Sequence, residues 1–293
     1  MRLLTIIYKI IILVYTDIQQ EAYNMINITN TKLTAGLAHP VKILHITDIH
    51  LTYANEKDTP EHHKLMKKRF DVFRGEGEFP PFTPKEYFEQ AIALAKEEKA
   101  LLVCTGDAID IHTHGNIEVI KEILEGEDLM FSPGGHEHQR ICRRTMEEPY
   151  PYFETVRLQL EREFSEFDLY FESRVINGLN IITADNSMDY FPQRTVEAFK
   201  REIEKGFPII VFFHDPIWDE LLNKKEPYHQ NVRLTQEDYL RSGEMIDILL
   251  HHPLVLTTVG GHGHRDEERI IDGKNHYMTS GLFKGKARMI EII

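Results

Sequence analysis

Short apolar segments rich in Ile, Val and Leu recur along the chain, and most of them end in Asp or His. The five clearest are VKILHITD (41–48), ALLVCTGD (100–107), LNIITAD (179–185), FPIIVFFHD (207–215) and PLVLTTVGGH (253–262). Runs of this length with many β-branched residues are typical of strands that are buried in a core. The pattern therefore predicts five buried strands.

Helical patterns lie between these predicted strands. They cover residues 83–99, with Pro84 in the first turn, 116–127, 195–206 and 236–252. Alternating strands and helices predict an α/β fold in which sheets are buried between layers of helices. The chain end, 269–293, predicts two or three antiparallel strands with a turn at the DGKN sequence.

No linker divides the chain, so residues 25–293 are predicted to form a single domain. Two irregular or polar segments, 51–82 and 136–175, interrupt the strand and helix pattern. We expect them to be insertions on the rim of a site, where loops commonly determine specificity.

Residues 1–24 are predicted to be a leader or a misannotated start that precedes Met25. Residues 3–15 (LLTIIYKIIILVY) are apolar and follow Arg2, as in a signal peptide or membrane anchor. However, Lys9 interrupts a run that is already shorter than the ~20 residues of a membrane span. A signal or anchor and an added strand are the alternatives.

Acidic residues outnumber basic residues by 47 to 34, which gives a net charge of −13. No stretch concentrates basic residues on one face, so a nucleic-acid partner is not indicated. The two cysteines, Cys104 and Cys142, are too few for a disulfide framework and favour a reducing compartment. A cytoplasmic location is therefore predicted, with export or anchoring as the alternative if residues 3–15 act as a signal. The oligomeric state stays open.

Residues of the types that bind metals follow the ends of the predicted strands. They are Asp48, His50, Asp107, Asp110, His136, His214, His262 and His264. Asp48 and His50 are two residues apart, so on an extended backbone they would project to the same side and bind one ion together. Ligands of open α/β sheets bind beyond the carboxyl ends of the strands. A mixed set of His and Asp suits Mn, Fe or Zn ions.

These residues belong to five short motifs in a fixed order. They are DIH (48–50), GDAID (106–110), GGHE (134–137), FFHD (212–215) and GHGH (261–264). Over roughly residues 41–290 the chain resembles the calcineurin-like metallophosphoesterase family, whose pattern is D-x-H, G-D-x-x-D, G-N-H-E/D, H and G-H-x-H. The resemblance implies a four-layer α/β/β/α sandwich with a site for two metal ions.

The resemblance also implies a role for each motif residue. Asp48, His50 and His264 would bind the first ion, and His214 and His262 the second. Asp107 would bridge both ions, which would be divalent or trivalent Mn, Fe or Zn. His136 would assist the leaving oxygen, and Asp110 would orient His136.

The implied activity is hydrolysis of phosphate mono- or diesters. The substrate would be a small phosphorylated molecule, attacked by a hydroxide that bridges the two ions. An inactive or weakened family member that acts as a binding or scaffold protein is the alternative. A nuclease would require a basic groove, which a chain with a net charge of −13 does not indicate.

Gly135 departs from the family pattern, because the family has at this position an asparagine that binds the second metal. Asn and Gly both tolerate a positive φ, so we expect the turn to persist. The second ion should then be bound more weakly, with water or a nearby side chain in the gap. His138 is the candidate substitute ligand, although a solvated loop histidine is the more common case.

Several other charged or polar residues are candidates for a role near the site, including His112 and His114, which have the spacing of metal ligands. Lys67–Arg69 and Arg143–Arg144 are predicted to be solvated, as charge runs usually are. His112 and His114 are predicted to belong to a loop. The segment with Tyr228, His229 and Arg233 offers slightly better candidates for a phosphate contact.

Overall fold

The computed structural model of the chain describes residues 26–75, 82–138, 150–187, 190–217 and 236–293. The strands in these ranges are β1 (Asn27–Leu33), β2 (Val41–Ile46), β3 (Leu101–Cys104), β4 (Leu129–Phe131), β5 (Phe171–Ile176), β6 (Leu179–Ala184), β7 (Ile209–Phe212), β8 (Val255–Gly260), β9 (Glu267–Ile271), β10 (Lys274–Met278) and β11 (Lys286–Ile292). The α-helices are α1 (Pro60–Gly75), α2 (Pro84–Glu98), α3 (His114–Leu124), α4 (Tyr150–Glu163), α5 (Gln193–Ile203) and α6 (Gln236–His251).

The strands form two sheets with mixed pairing. The first has the order β1-β11-β2-β3-β4 and the second the order β5-β6-β7-β8-β10-β9. Strands β2, β3 and β4 are parallel, as are β6, β7, β8 and β10. The carboxyl ends of the central strands in each sheet therefore lie along one edge, which is where a site is expected in an α/β fold.

Both faces of the central strands are buried, which explains their continuous apolar sequences. In β7, Ile210 and Phe212 point into a core shared with Val103 and Ile290 of the first sheet, between the two sheets. Their neighbours in the strand pack against α5 and α6. Helices α2, α3 and α4 cover the other sheet in the same way. The architecture is the predicted α/β/β/α sandwich.

The five predicted strands and four predicted helices are all present, with ends that differ by a few residues. Helix α2 begins at Pro84, and Thr83 and Glu86 form a capping box at its start. Such a box satisfies backbone N–H groups that have no partner in the first turn. The local sequence therefore determines this helix start.

Helices α1 and α4 fall in the two segments that were predicted to be irregular. The sequence of α1 is dominated by charged residues, and Met66 and Phe73 are buried on one of its faces. Met66, Phe70 and Phe73 follow the i, i+4, i+7 spacing of a helix, but this pattern is short and lies among many charged residues. This helix lies on the rim of the strand ends, where an insertion was expected.

The chain end differs in part from its prediction. Strands β9 and β10 form the expected hairpin, and Asp272 and Gly273 in its turn have φ angles of 48° and 81°. Strand β11 does not continue that hairpin. It crosses to the first sheet, where it pairs parallel to β1 and antiparallel to β2. A 3-10 turn at Leu282–Lys284 redirects the chain before β11 begins.

Some predictions fall on residues outside the described ranges. These are the leader at 1–24, Cys142, Arg143–Arg144 and the segment with Tyr228, His229 and Arg233. Within the described ranges, no helix has the length and apolar character that crossing a membrane requires. Cys104 is a buried free thiol.

Two glycines let the loops after β3 and β4 touch. A Cβ atom on Gly106, which has a φ of 78°, would lie 2.0 Å from the backbone nitrogen of Gly134. A Cβ atom on Gly134 would lie 2.4 Å from Asp107 Oδ1. Real Cβ atoms do not approach other atoms so closely, so both positions require glycine for this backbone path.

We expect Gly134→Ala to lower the free energy of unfolding by about 1–3 kcal/mol, because the added methyl group overpacks the contact with Asp107. The measurement is urea denaturation in the presence of a chelator. The matched control is Gly243→Ala in α6, where a Cβ atom would meet nothing within 4 Å. That change should stabilise the protein by up to about 1 kcal/mol. Equal stability of the Gly134 variant and the wild type would contradict the packing account.

Candidate metal centre

Five loops that follow strands converge at one edge of the two sheets, and backbone hydrogen bonds join them. The nitrogen of Asp48 donates to Gly106 O at 2.9 Å, and the nitrogen of His50 donates to Asp107 O at 2.8 Å. Gly261 N donates to His214 O at 2.8 Å, which joins the loops after β7 and β8. The positions of the side chains on these loops are therefore coupled.

The candidate ligands share an unusual backbone conformation. The φ angle is positive at Asp48 (51°), His50 (54°), Asp107 (47°), His262 (64°) and His264 (51°). The expectation that Asp48 and His50 project from an extended backbone is therefore wrong. Left-handed non-glycine residues cost free energy and cluster at functional sites, where the surrounding structure holds them.

The first group of ligand-type atoms is formed by Asp48, His50 and His264. His264 Nε2 lies 3.1 Å from Asp48 Oδ1 and 3.3 Å from His50 Nε2. His50 Nε2 lies 3.9 Å from Asp48 Oδ1. Atoms this close can bind one metal ion together.

A second group is formed by Asp107, His214 and His262, whose ligand-type atoms lie within 4.8 Å of one another. His214 Nε2 is 3.1 Å from Asp107 Oδ2. The same Asp107 oxygen is 4.0 Å from His50 Nε2 in the first group. Asp107 therefore stands between the two groups.

Hydrogen bonds fix which nitrogen of each ring faces the centre. His214 Nδ1 donates to the carbonyl oxygen of Thr105 at 2.7 Å, and His50 Nδ1 lies 3.1 Å from Asp110 Oδ1. Because these oxygens accept hydrogen bonds, each Nδ1 carries a proton and each Nε2 faces the centre. Metal-binding histidines are commonly oriented in this way.

The residues present fit a metal ion. Asp48 Oδ1 and His214 Nε2 are buried and make no hydrogen bond within the described residues, although His264 Nε2 and Asp107 Oδ2 each lie 3.1 Å from one of them. Leaving such polar atoms without a partner is costly, and a cation would compensate them. The oxygen and imidazole donors suit Mn, Fe and Zn.

Charge interactions at the centre favour ionised carboxylates. Burial raises the pKa of Asp107, but His214 and His136 outweigh burial and bring that pKa well below its usual value. For Asp48, His264 and His214 likewise outweigh burial and lower the pKa to about 2. Both carboxylates are thus anionic at neutral pH, as metal binding requires.

His136 lies beside these groups, on a 3-10 turn of residues 136–138. Its backbone nitrogen donates to Asp107 Oδ1 at 2.8 Å, and its Nδ1 donates to the carbonyl oxygen of Asp110 at 2.7 Å. Its Nε2 is 4.0 Å from Asp107 Oδ2. The side chain is 24% exposed, so a molecule in solution can reach the ring.

Glu137 was not recognised from the sequence as a site residue, although it holds the loops in place. Its buried carboxylate accepts hydrogen bonds from the backbone nitrogens of Asp107, Ala108, Ile109 and Gly134, at 2.7–3.2 Å. Burial and Asp107 raise its pKa to about 7, against the opposing effect of these donors. The sequence signal for this residue is its place in the GGHE motif, where an acidic residue directly follows the histidine.

Arg69 of α1 binds Asp110 and does not follow the prediction of a solvated charge run. Its Nε and Nη2 donate to the two carboxylate oxygens of Asp110 at 2.7 and 2.8 Å. Burial raises the pKa of Asp110, but Arg69 and His50 outweigh burial and lower it to about 2. The contribution of this pair to stability is present at neutral pH and is lost as the pH falls through that pKa.

The same helix covers His50 with an aromatic ring. Phe73 stacks on His50, with the ring centroids 4.4 Å apart and the planes 12° apart. The guanidinium group of Arg69 lies over the Phe73 ring, with its Cζ atom 4.6 Å from the ring centroid. Helix α1 therefore orders the surroundings of the centre. This role was not predicted, because the sequence of α1 is dominated by charged residues.

His138 is buried, so its prediction as a solvated loop histidine is wrong. Its Nε2 lies 3.1 Å from Ser187 Oγ and 3.5 Å from Arg157 Nη1. Burial and Arg157 hold its pKa well below the usual value. Because its Nε2 faces these partners, His138 is not part of the groups of ligand-type atoms described above.

The turn after Gly135 is present, but it does not depend on a positive φ at this position. The glycines with positive φ in the described ranges are Gly36, Gly106, Gly126, Gly178, Gly206, Gly273 and Gly285. Neither Gly134 nor Gly135 belongs to this set, so tolerance of positive φ does not explain the substitution. The consequence of glycine at position 135 is that this position offers no side chain to bind a metal ion.

A cleft near the start of α3 contains the histidines predicted to lie in a loop. Its volume is about 190 Å³, and it is lined by Lys57, Asp58, Thr59, His62, His112, His114 and Gln159. His112 lies in the loop before α3, whereas His114 is the first residue of that helix. Asp58 accepts hydrogen bonds from the nitrogens of His114 and Gly115, which caps the helix start.

Comparisons with known proteins agree with this fold. A model of the calcineurin-like phosphoesterase family matches residues 41–266. The chain therefore belongs to the calcineurin-like phosphoesterase family, as its motifs indicated. No protein of curated function matches the chain.

Solved structures share the fold at low sequence identity. A dimetal phosphatase from Danio rerio has a TM-score of 0.50 and 12% identity, over 83% of this chain and 88% of its own. A putative 5′-nucleotidase from Staphylococcus aureus has a TM-score of 0.43 and 8% identity, over 83% of this chain and 49% of its own. The phosphopantetheinyl hydrolase of Mycobacterium tuberculosis has a TM-score of 0.40 and 12% identity, over 83% and 90%. At 12% identity, the similarity to the Danio rerio structure shows the fold alone.

We expect Arg69→Ala to lower the free energy of unfolding by about 2 kcal/mol, because it leaves a buried carboxylate without its charged donors. Chemical denaturation at neutral pH measures this change. Lys67→Ala is the matched control on the same helix, since the Lys67 side chain is 81% exposed. It should change stability by less than about 0.5 kcal/mol. Similar values for the two variants would refute the assigned role of Arg69.

Proposed function

We propose that the protein is a metal-dependent phosphoesterase that hydrolyses phosphate mono- or diesters. One observation carries this proposal: the Asp107 carboxylate stands between two groups of ligand-type atoms, each of which can hold an ion. A shared carboxylate is characteristic of sites that bind two metal ions for phosphate chemistry.

In this proposal each group would hold its own ion. Asp48, His50 and His264 would hold the first ion, His214 and His262 would hold the second, and Asp107 would be shared. Bound Mn, Fe or Zn would act as a Lewis acid on phosphoryl oxygens and lower the pKa of water toward neutrality. The chain's own contribution is to fix these side chains on a backbone that hydrogen bonds hold in place.

His136 is the proposed catalytic histidine that assists the leaving oxygen. Its Nδ1 is fixed by the Asp110 carbonyl oxygen, so its Nε2 is the nitrogen that faces the substrate. The nearby carboxylates of Asp107 and Asp110 raise the pKa of His136 and outweigh its burial. A protonated imidazole can donate its proton to an alkoxide that departs.

Asp110 acts as a positioning residue for both His50 and His136. Its Oδ1 lies 3.1 Å from His50 Nδ1 and 3.4 Å from His136 Nδ1, and Arg69 fixes the carboxylate from the other side. The rim insertion that contains α1 thus supports the centre. The proposed substrate is a small phosphorylated molecule, in keeping with an acidic chain that shows no basic stretch.

The activity is tested with p-nitrophenyl phosphate and bis(p-nitrophenyl) phosphate in the presence of Mn. We expect His136→Ala to lower kcat by about 10²- to 10⁴-fold, because it removes a general acid. His251→Ala is the matched control, since His251 is an exposed histidine at the end of α6. It should leave the rate unchanged. Equal rates for wild type and His136→Ala on both esters would contradict the assigned role of His136.

Metal removal is a separate prediction. Chelation should abolish hydrolysis and lower the Tm, and Mn should restore both. Ligand binding to the folded state stabilises it by about 2.7 kcal/mol at 100 times Kd. Asp107→Ala should show a much smaller rise in Tm on adding Mn, because it loses the shared ligand. A chelated protein that keeps full activity would exclude a metal-dependent reaction and leave a binding or scaffold role to be tested.

A further inference from the structure

In the proposed two-metal site, the second ion would have fewer protein ligands than the first. Asp48, His50 and His264 would be joined by the shared Asp107, whereas Asp107, His214 and His262 alone would bind the second ion. Gly135 has no side chain to contribute. Borderline ions such as Zn bind at least four ligands. The second ion therefore needs another donor, from water or from the protein.

A further carboxylate lies beside His262, although it is not among the ligand-type atoms that lie within 4.8 Å of one another. Asp215 directly follows His214 and is 4% exposed. Its Oδ1 is 3.3 Å from His262 Nδ1. Two ligand atoms that are each ~2.1 Å from one ion, at angles of about 90–110°, lie roughly 3.0–3.4 Å apart. The separation of these two atoms matches that of neighbouring ligands on a shared ion.

The backbone holds Asp215 in this place. Its nitrogen donates to Asn186 Oδ1 at 3.0 Å, and Asn186 Nδ2 donates to the Asp215 carbonyl oxygen at 2.6 Å. Asn186 is fully buried. Pro216 follows and restricts Asp215 to extended conformations. The carboxylate is therefore attached to a backbone that is fixed at the edge of the second group.

We propose that Asp215 donates a carboxylate oxygen to the second metal ion and replaces the ligand that is missing at Gly135. This inference rests on the proposed two-metal function. A carboxylate brings a negative charge where an asparagine would bring a neutral amide, so the second ion is bound firmly despite Gly135. Asp215 replaces His138 as the substitute ligand, since Nε2 of His138 faces Ser187 and Arg157.

The competing explanation is that Asp215 only orients the His262 ring by accepting a hydrogen bond, as outer carboxylates often do. The two explanations differ in one respect. If Asp215 supplies a missing ligand, an asparagine at position 135 can take its place. If Asp215 orients His262, a new ligand at position 135 leaves the ring as mobile as before.

The test compares wild type, Asp215→Ala, Gly135→Asn and the double variant Asp215→Ala/Gly135→Asn. Each is dialysed against defined free Mn concentrations, and bound Mn per chain is measured by mass spectrometry. We expect two ions in the wild type. We expect Asp215→Ala to keep the first ion and to bind the second at least about 100-fold more weakly. Mutation of residues that only hydrogen-bond to a metal ligand already lowers metal affinity or activity by about 10- to 100-fold. The double variant should recover most of this affinity.

Two results with the variants would overturn the inference. One is unchanged affinity for the second ion in Asp215→Ala. The other is an equal loss in the single and double variants, which would assign Asp215 the orienting role. A wild type that binds one ion would also overturn it. Asp247→Ala is the matched control, because Asp247 is exposed on α6. It should bind Mn as the wild type does.

Failure of this inference is distinguishable from failure of the proposed function. Hydrolysis of the two p-nitrophenyl esters by the wild type is measured on the same preparations. If the wild type hydrolyses the esters and Asp215→Ala binds the second Mn ion as tightly as the wild type, Asp215 is not a ligand, whereas the proposed phosphoesterase activity is retained. Unfolding of the metal-free variants shows whether Asp215→Ala folds as the wild type does, and a metal-free Tm equal to that of the metal-free wild type would exclude a fold defect.

Discussion

The Asp107 carboxylate is the group on which the rest of the site depends. One oxygen accepts the backbone N–H of His136 at 2.8 Å, and the other lies 3.1 Å from His214 Nε2 and 4.0 Å from His50 Nε2. Three loops from both sheets therefore meet at a single buried anion. Such an anion is stable only with positive charge nearby, either on imidazoles or on metal ions.

The fold supplies the conditions for this contact. Parallel strands in both sheets end at one edge, and glycines at 106 and 134 allow the loops after β3 and β4 to approach within van der Waals distance. Glu137 then joins these loops through four backbone donors. The strained, left-handed residues at the centre persist because so many hydrogen bonds define their backbone.

The sequence predicts the central strands, the four main helices and the set of candidate ligands, because these depend on local patterns. Buried strands have continuous apolar runs, and the motif residues follow directly after them. The structure brings Asp48, Asp107, His214 and His264 together, although they are far apart in the chain. What the sequence does not show are the contacts that depend on tertiary packing. Arg69 and Phe73 belong to a helix with a charged sequence, and Asp215 is adjacent in the chain to a recognised histidine but has no motif of its own.

The central claim is that Asp107 bridges two metal ions. Anomalous scattering from crystals grown with Mn tests it most directly. The account predicts two anomalous peaks on either side of the Asp107 carboxylate, one near His50 and His264 and one near His214 and His262. A single peak, or two peaks that do not share Asp107, would contradict it.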